Sequence, residues 1–223
     1  MMGHLKVLRY HPSTGPYEQE FTFRYSNDMT VLDVLNQVSS EQVCDLAYPR
    51  CCRNGKCGLC TILLNGKPVI SCYERALPIM TLGPLQGYPI LKDLVIDRTR
   101  TVNCINSLPI SNGGDETANS LLSVRLGSFR DAFLRSSQCI ECLSCMSVCP
   151  VFRKDPDTFA GPMPFVRIFR YTVDPRNSLS WKKIIVEMGI THCIACGNCT
   201  SICPEAVAPA ALIAKLRSHD GLD

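Results

Sequence analysis

Apolar and polar positions mix along LKVLRY (5–10) and EFTFRYS (20–26), among aromatic and β-branched residues, which predicts two half-buried strands. The pattern then changes. VLDVLNQVSS, from Val31, reads as a helix whose start is marked by Thr30 as N-cap and Asp33 as the acid three positions on. TILLNGKPVISC (61–72) carries a hairpin signal, because Asn65-Gly66 takes the positive φ angles that a tight turn demands. ALPIMTL (76–82) predicts a further short strand, and LKDLVID (91–97) a helix. The first hundred residues therefore predict a small mixed sheet gripping one helix.

The texture differs beyond residue 106. SNGGDETANS (111–120) has the Gly, Asn, Ser and Asp content of an exposed linker, so the expected domains are 1–106 and 107–223. After it come two near-copies of one element, CIECLSCMSVCP (139–150) and CIACGNCTSICP (193–204), an internal duplication. SWKKIIVEMGI and PAALIAKLRS have helical apolar spacing, so this half is expected to be mostly α.

Composition narrows the function classes. With 223 residues, 46% of them hydrophobic, the chain can bury two modest cores. Its 23 basic and 20 acidic residues leave a net charge of +3, too near balance for the phosphate neutralisation that nucleic-acid binding needs. Cysteine is the outlier, at 15 residues. The opening MMGHLKVLRYHPSTG shows neither an apolar export core nor twin arginines, so the expectation is reduced thiols and a cytoplasmic location. Charged residues or proline interrupt every apolar run short of the roughly 20 residues a membrane span needs. Any membrane contact is expected through partners at the cytoplasmic face.

The cysteine spacing carries the chemistry. Cys139, Cys142, Cys145 and Cys149 before Pro150 give C-x2-C-x2-C-x3-C-P, repeated by Cys193, Cys196, Cys199 and Cys203 before Pro204. Three closely spaced thiolates can wrap three irons of a cubane, and the fourth cysteine of each run reaches the other cluster. One 4Fe-4S set is thus Cys139, Cys142, Cys145 and Cys203, and the other is Cys193, Cys196, Cys199 and Cys149. If Cys196 does not ligate, the second becomes 3Fe-4S. In CCRNGKCGLC, Cys52, Cys57 and Cys60 have the C-x4-C-x2-C spacing of plant-type 2Fe-2S sites, with Cys72 arriving from the hairpin. Gly55 and Gly58 suit a loop whose bare N–H groups point at sulfur. Cys51 competes as a ligand but would lengthen the first gap to five residues.

Structural zinc usually takes two C-x2-C pairs a dozen or more residues apart, which a doubled four-cysteine run does not suit. Cys44, Cys51 and Cys104 remain, read as small buried hydrophobes. His4, His11, His192 and His219 are too scattered for a Rieske centre, and only His192 neighbours a cysteine run. No dinucleotide-type glycine loop and no Ser/His/Asp or paired-carboxylate set is visible, so no catalytic residue is assigned.

The whole constellation resembles the iron-sulfur subunit of the succinate dehydrogenase and fumarate reductase family. The likeness is carried by CRNGKCGLC, NGKPVISC, YPILKDLVID, GPMPFVRIFRYTVDPR (161–176) and CPEAVAPAALIAKLR, and covers nearly the whole chain. It implies an α+β protein, with a β-grasp 2Fe-2S ferredoxin domain followed by an α-helical ferredoxin domain holding two cubane clusters. It also implies an electron-transfer subunit of an oxidoreductase complex. A FAD-containing flavoprotein partner would carry the substrate chemistry, and a second redox partner would be a membrane anchor subunit or a heterodisulfide reductase-like protein.

Two departures shape the expectation. Respiratory members lack a cysteine in the place of Cys196 and carry 3Fe-4S there, so two 4Fe-4S clusters are expected here, as in thiol-linked fumarate reductases and the small heterodisulfide reductase subunit. The tryptophan and histidine that hold quinone in respiratory members are replaced around Phe152, Arg153 and Ile194, and the single tryptophan, Trp181, is far away in sequence. The alternative is accordingly a linker subunit of a heterodisulfide reductase-like or other flavin dehydrogenase complex, delivering electrons to a protein or thiol rather than a quinone.

Overall fold

The computed structural model describes residues 1–43, 45–109, 129–174 and 179–218. Cys44, His219 and the linker expected at 111–120 lie outside the described residues. The chain forms two compact units, Met1–Asp97 with Ile140–Ser147, and Arg98–Cys139 with Val148–Asp223.

In the first unit, β1 (Met2–His11) and β2 (Gly15–Arg24) pair antiparallel, β3 (Thr61–Leu64) and β4 (Lys67–Ile70) form the predicted hairpin, and β5 (Ile79–Gly83) completes the sheet. The strand order is β2-β1-β5-β3-β4, with β1 and β5 parallel. Alternation puts Leu5, Val7 and Arg9 of β1 on the buried face. That face meets α1 (Val31–Glu41), which buries Val31, Leu32, Val34, Leu35 and Val38. The cap forms reciprocally: Thr30 Oγ1 accepts the Asp33 N–H at 3.2 Å, and the Asp33 carboxylate accepts the Thr30 N–H at 2.9 Å. Two N–H groups without helical partners are thereby satisfied. At the hairpin, Asn65 and Gly66 take φ of +49° and +82°, the paired positive angles of a two-residue turn.

The helix expected over LKDLVID does not form. The segment is a small antiparallel ribbon, β6 (Ile90–Lys92) and β7 (Val95–Ile96), turning at Asp93 with φ of +47°. The cause is tertiary: the Asp93 side chain is fully buried and accepts both Nε (2.9 Å) and Nη2 (3.0 Å) of Arg9. It also takes the Ala47 N–H at 2.9 Å, while the next residue, Leu94, is buried in the core. A helical backbone would forfeit this buried pairing for one turn of hydrogen bonds.

The described part of the second unit is helical: α2 (Thr99–Asn106), α3 (Arg130–Ser137), then α5 (Pro150–Lys154), α6 (Pro162–Thr172), α7 (Lys182–Glu187), a 3-10 turn (Ile190–His192), α8 (Asn198–Ser201) and α9 (Pro209–Ser218). The intervening short helix α4 (Ser144–Ser147) belongs to the first unit. α9 packs on α6 and buries Leu212, Ile213 and Leu216. Phe159 and Phe165 stack with ring centroids 5.6 Å apart, as do Trp181 and Tyr171. α7 ends sooner than its apolar spacing suggests because Gly189 takes φ of +77°. A methyl there would stand 1.9 Å from the Thr158 carbonyl oxygen, so only glycine allows the chain to turn into the second cysteine run.

Candidate metal centres

The first candidate centre lies wholly in the first unit. The Cys60 and Cys72 sulfurs are 3.4 Å apart, and the Gly55 N–H donates to Cys72 Sγ at 3.2 Å. Arg53, Gly55 and Gly58 all have positive φ, which turns successive N–H groups inward in a loop of few residues. The loop separates the two adjacent cysteines. The Cys52 thiol is held down to about 6, first by the Asn54 N–H, then by Cys57 and the N–H groups of Lys56 and Cys57. Cys51 is exposed, and a hydrogen bond with Cys57 pushes its thiol up. Cys72 is pushed up to about 11, chiefly by burial. Amide donors aimed at sulfur suit thiolates bound to an inorganic cluster, whose cations offset the cost of burying negative charge. Arg50, Arg53 and Lys56 are exposed, and Arg50 lies over the Tyr48 ring at 5.2 Å rather than against sulfur.

The second unit gathers Cys149, Cys193, Cys196 and Cys199 around one concavity. Val151, Phe159, Pro162, Ile194, Ala210 and Ile213 line it as well, giving an apolar wall. The Cys199 thiol is pushed up to about 11, first by burial and then by repulsion from Cys149, Cys193 and Cys196. Burial also raises Cys149, against the opposing N–H groups of Phe152 and Val151. Four crowded thiols are the donor set a polynuclear cation binds. Exposure is uneven: Cys149 and Cys199 are buried, Cys193 is half-buried and Cys196 is exposed.

Four predicted ligands remain. Cys142 and Cys145 are buried in the first, and Cys139 and Cys203 are half-buried in the second. Cys142 lies 3.3 Å from Ser144 Oγ, and Cys203 accepts the Val207 N–H at 3.4 Å. The duplication extends to backbone conformation. Glu141 and Leu143 have φ of +55° and +66°, and the equivalent Ala195 and Gly197 have +54° and +79°. Three non-glycine residues in left-handed backbone cost about 1–2 kcal/mol each, strain that marks a loop shaped for a site rather than for stability.

Of the residues outside these sets, Cys104 is half-buried with its thiol raised by burial, and His4, His11 and His192 are exposed. Spacing did not disclose the supports of the loops. Thr61 Oγ1 donates to the Gly58 carbonyl at 2.8 Å, Arg217 Nη1 donates to the Cys193 carbonyl at 3.0 Å, and the Ala210 N–H donates to Thr200 Oγ1 at 3.1 Å.

Residues 4–103 match the 2Fe-2S iron-sulfur cluster binding domain family, and residues 135–207 match the 4Fe-4S dicluster domain family. The fumarate reductase iron-sulfur subunit of Escherichia coli is 28% identical over 218 residues, covering 94% of this chain and 89% of its own length. Over nearly its whole length this chain is similar to the iron-sulfur subunits of fumarate reductases and succinate dehydrogenases. The mitochondrial succinate dehydrogenase iron-sulfur subunit 3 of Arabidopsis thaliana is 27% identical over 96% of this chain and 73% of its own length. A fumarate reductase (CoM/CoB) subunit of Methanothermobacter marburgensis is 29% identical over 97% of this chain, which spans only 44% of that longer protein. The fold matches a chain of the Mycobacterium smegmatis Sdh1 complex in the apo form, with a TM-score of 0.85 at 24% identity over 97% and 94% of the two chains. The fold is α+β, a 2Fe-2S ferredoxin domain followed by a helical 4Fe-4S domain. Among the described residues no helix is long and apolar enough to cross a membrane.

Proposed function

We propose that this chain is the iron-sulfur electron-transfer subunit of a succinate dehydrogenase or fumarate reductase-like complex. It relays single electrons between a FAD flavoprotein partner and a second redox partner. Cys52, Cys57, Cys60 and Cys72 would hold a 2Fe-2S cluster. Cys139, Cys142, Cys145 and Cys203 would hold one 4Fe-4S cluster, and Cys149, Cys193, Cys196 and Cys199 another. When bound, such clusters supply one-electron redox chemistry without group transfer. The chain's own residues hold them, aim N–H groups at sulfur and exclude water on the buried sides. Dicarboxylate chemistry would reside on the flavoprotein.

The observation that carries the cluster types is Cys196, a fourth thiol at the concavity shared by Cys149, Cys193 and Cys199. Four thiol ligands support a complete cubane there, where three would leave one iron unheld. The second partner is inferred not to be a quinone bound in the respiratory manner. Phe152 is fully buried, Ile194 is exposed and apolar, and Trp181 is buried against Tyr171, so none of them offers a carbonyl the usual polar pair.

Iron and sulfide analysis of anaerobically purified protein, with low-temperature EPR of the oxidised and reduced states, tests the reading. About ten irons per chain, near-equal sulfide and no 3Fe-4S signal are expected. Colourless protein carrying zinc would overturn the relay, and a full-strength 3Fe-4S signal would overturn the role of Cys196.

A further inference from the structure

Within the first unit, the loop carrying Cys57 and Cys60 lies directly on the middle of the first C-terminal cysteine run, because Ile140–Ser147 folds with Met1–Asp97. Gly58 makes the contact. A methyl group there would stand 2.5 Å from the Ile140 carbonyl oxygen, 2.7 Å from Cα of Cys142 and 2.9 Å from its Cβ. Carbon contacts favour roughly 3.5–4.0 Å, and two of these three atoms are backbone, so rotating a side chain relieves nothing. Gly58 also has φ of +66°, a region closed to most side chains.

Further anchors hold the two segments together. The buried Thr61 hydroxyl donates to the Gly58 carbonyl at 2.8 Å, fixing the loop's side. On the other side the Gln86 N–H donates to the buried Ser147 Oγ at 2.9 Å, and α4 packs on β4, the strand that leads to Cys72.

We propose that Gly58 is a positioning residue for electron transfer. Its missing side chain lets its own backbone, next to Cys57, lie against Ile140 and Cys142, and so sets the gap between the 2Fe-2S centre and the first 4Fe-4S centre. The inference rests on the relay proposed above. One electron leaves the reduced 2Fe-2S centre and enters the oxidised 4Fe-4S centre; no bond is made or broken and no proton is required. Adding one methyl at Gly58 parts the loops by about 1 Å, judged from the shortfall against ordinary contact distances, while removing no cysteine.

The test uses the full chain, loaded with iron anaerobically and reduced with dithionite. EPR reads the broadening of the 2Fe-2S signal by its reduced neighbour, and pulse radiolysis reads the rate of electron redistribution between centres. Gly58→Ala is expected to keep both signals but to lose part of the broadening and to transfer more slowly. Native broadening and rate in iron-replete Gly58→Ala overturn the positioning role. If that variant fails to take up the 2Fe-2S cluster, Ser147→Ala decides instead: it removes an anchor and no thiol, and is expected to show the same loss to a smaller degree. Native behaviour in iron-replete Ser147→Ala then overturns the proposal. A native chain without distinct 2Fe-2S and 4Fe-4S signals overturns the relay itself, so the two failures are told apart.

Discussion

Removing Asp93 should destabilise the 2Fe-2S unit out of proportion to the size of the change. Its carboxylate is fully buried and takes two hydrogen bonds from Arg9 and one from the Ala47 N–H. Breaking a buried ion pair from one side costs about 3–5 kcal/mol, because the remaining charge stays buried. The two sides are unequal here. Arg9 without Asp93 keeps Asp45 at 3.1 Å and Gln19 at 2.7 Å, so Asp93→Ala belongs near the lower limit, about 3 kcal/mol. Asp93 without Arg9 keeps only the Ala47 N–H among the hydrogen bonds described above, so Arg9→Met belongs near 5 kcal/mol. Replacing both, as Arg9→Met with Asp93→Leu, removes both charges and leaves chiefly the Ala47 N–H orphaned, about 1–3 kcal/mol.

Native-state hydrogen exchange on the iron-loaded chain reads these values at the amides of β1 and β2. A loss of 3 kcal/mol raises the opening constant roughly a hundredfold. The reasoning fails if β1 protection is unchanged in Asp93→Ala, or if the double variant is as unstable as the two single losses combined. Either result would mean that the pair is solvated rather than desolvated.

The other predictions concern the ligands and one cap. Cys52→Ser should abolish the 2Fe-2S EPR signal while Cys51→Ser retains it, and the reverse pattern would reassign the ligand. Cys196→Ser should lower the iron content by about one per chain and produce an oxidised 3Fe-4S signal; because Cys196 is the exposed cysteine of its set, brief air oxidation of the native protein should produce a weaker form of the same signal. Unchanged iron and an EPR-silent oxidised state in Cys196→Ser would remove this residue from the ligand set. Thr30→Ala should destabilise α1 by about 1 kcal/mol, read as faster exchange in its first turn with the cluster spectra unchanged.

The features legible in the sequence were those set by neighbours along the chain. The N-cap at Thr30, the Asn65-Gly66 turn and the strand pattern of β1 and β2 each depend on local backbone preference or a short side-chain reach, and each appears in the fold. Cysteine spacing is of the same kind, since wrapping a cluster corner constrains residues two to four apart. LKDLVID misled because Leu91, Leu94 and Val95 imitate a helical stripe in a run too short for periodicity to separate helix from strand. What resolved it was Arg9, 84 residues away, demanding the Asp93 carboxylate in the core.

Spacing also could not show that Ile140–Ser147 would fold with the first hundred residues, or that Gly58 would be the point where it rests. By itself the sequence determined the number of cysteine sets, their spacing and the turns that present them, because those are local. Only the tertiary structure decided which thiols lie buried, which amides face them and which loops touch, because burial and close approach depend on groups far apart in the chain.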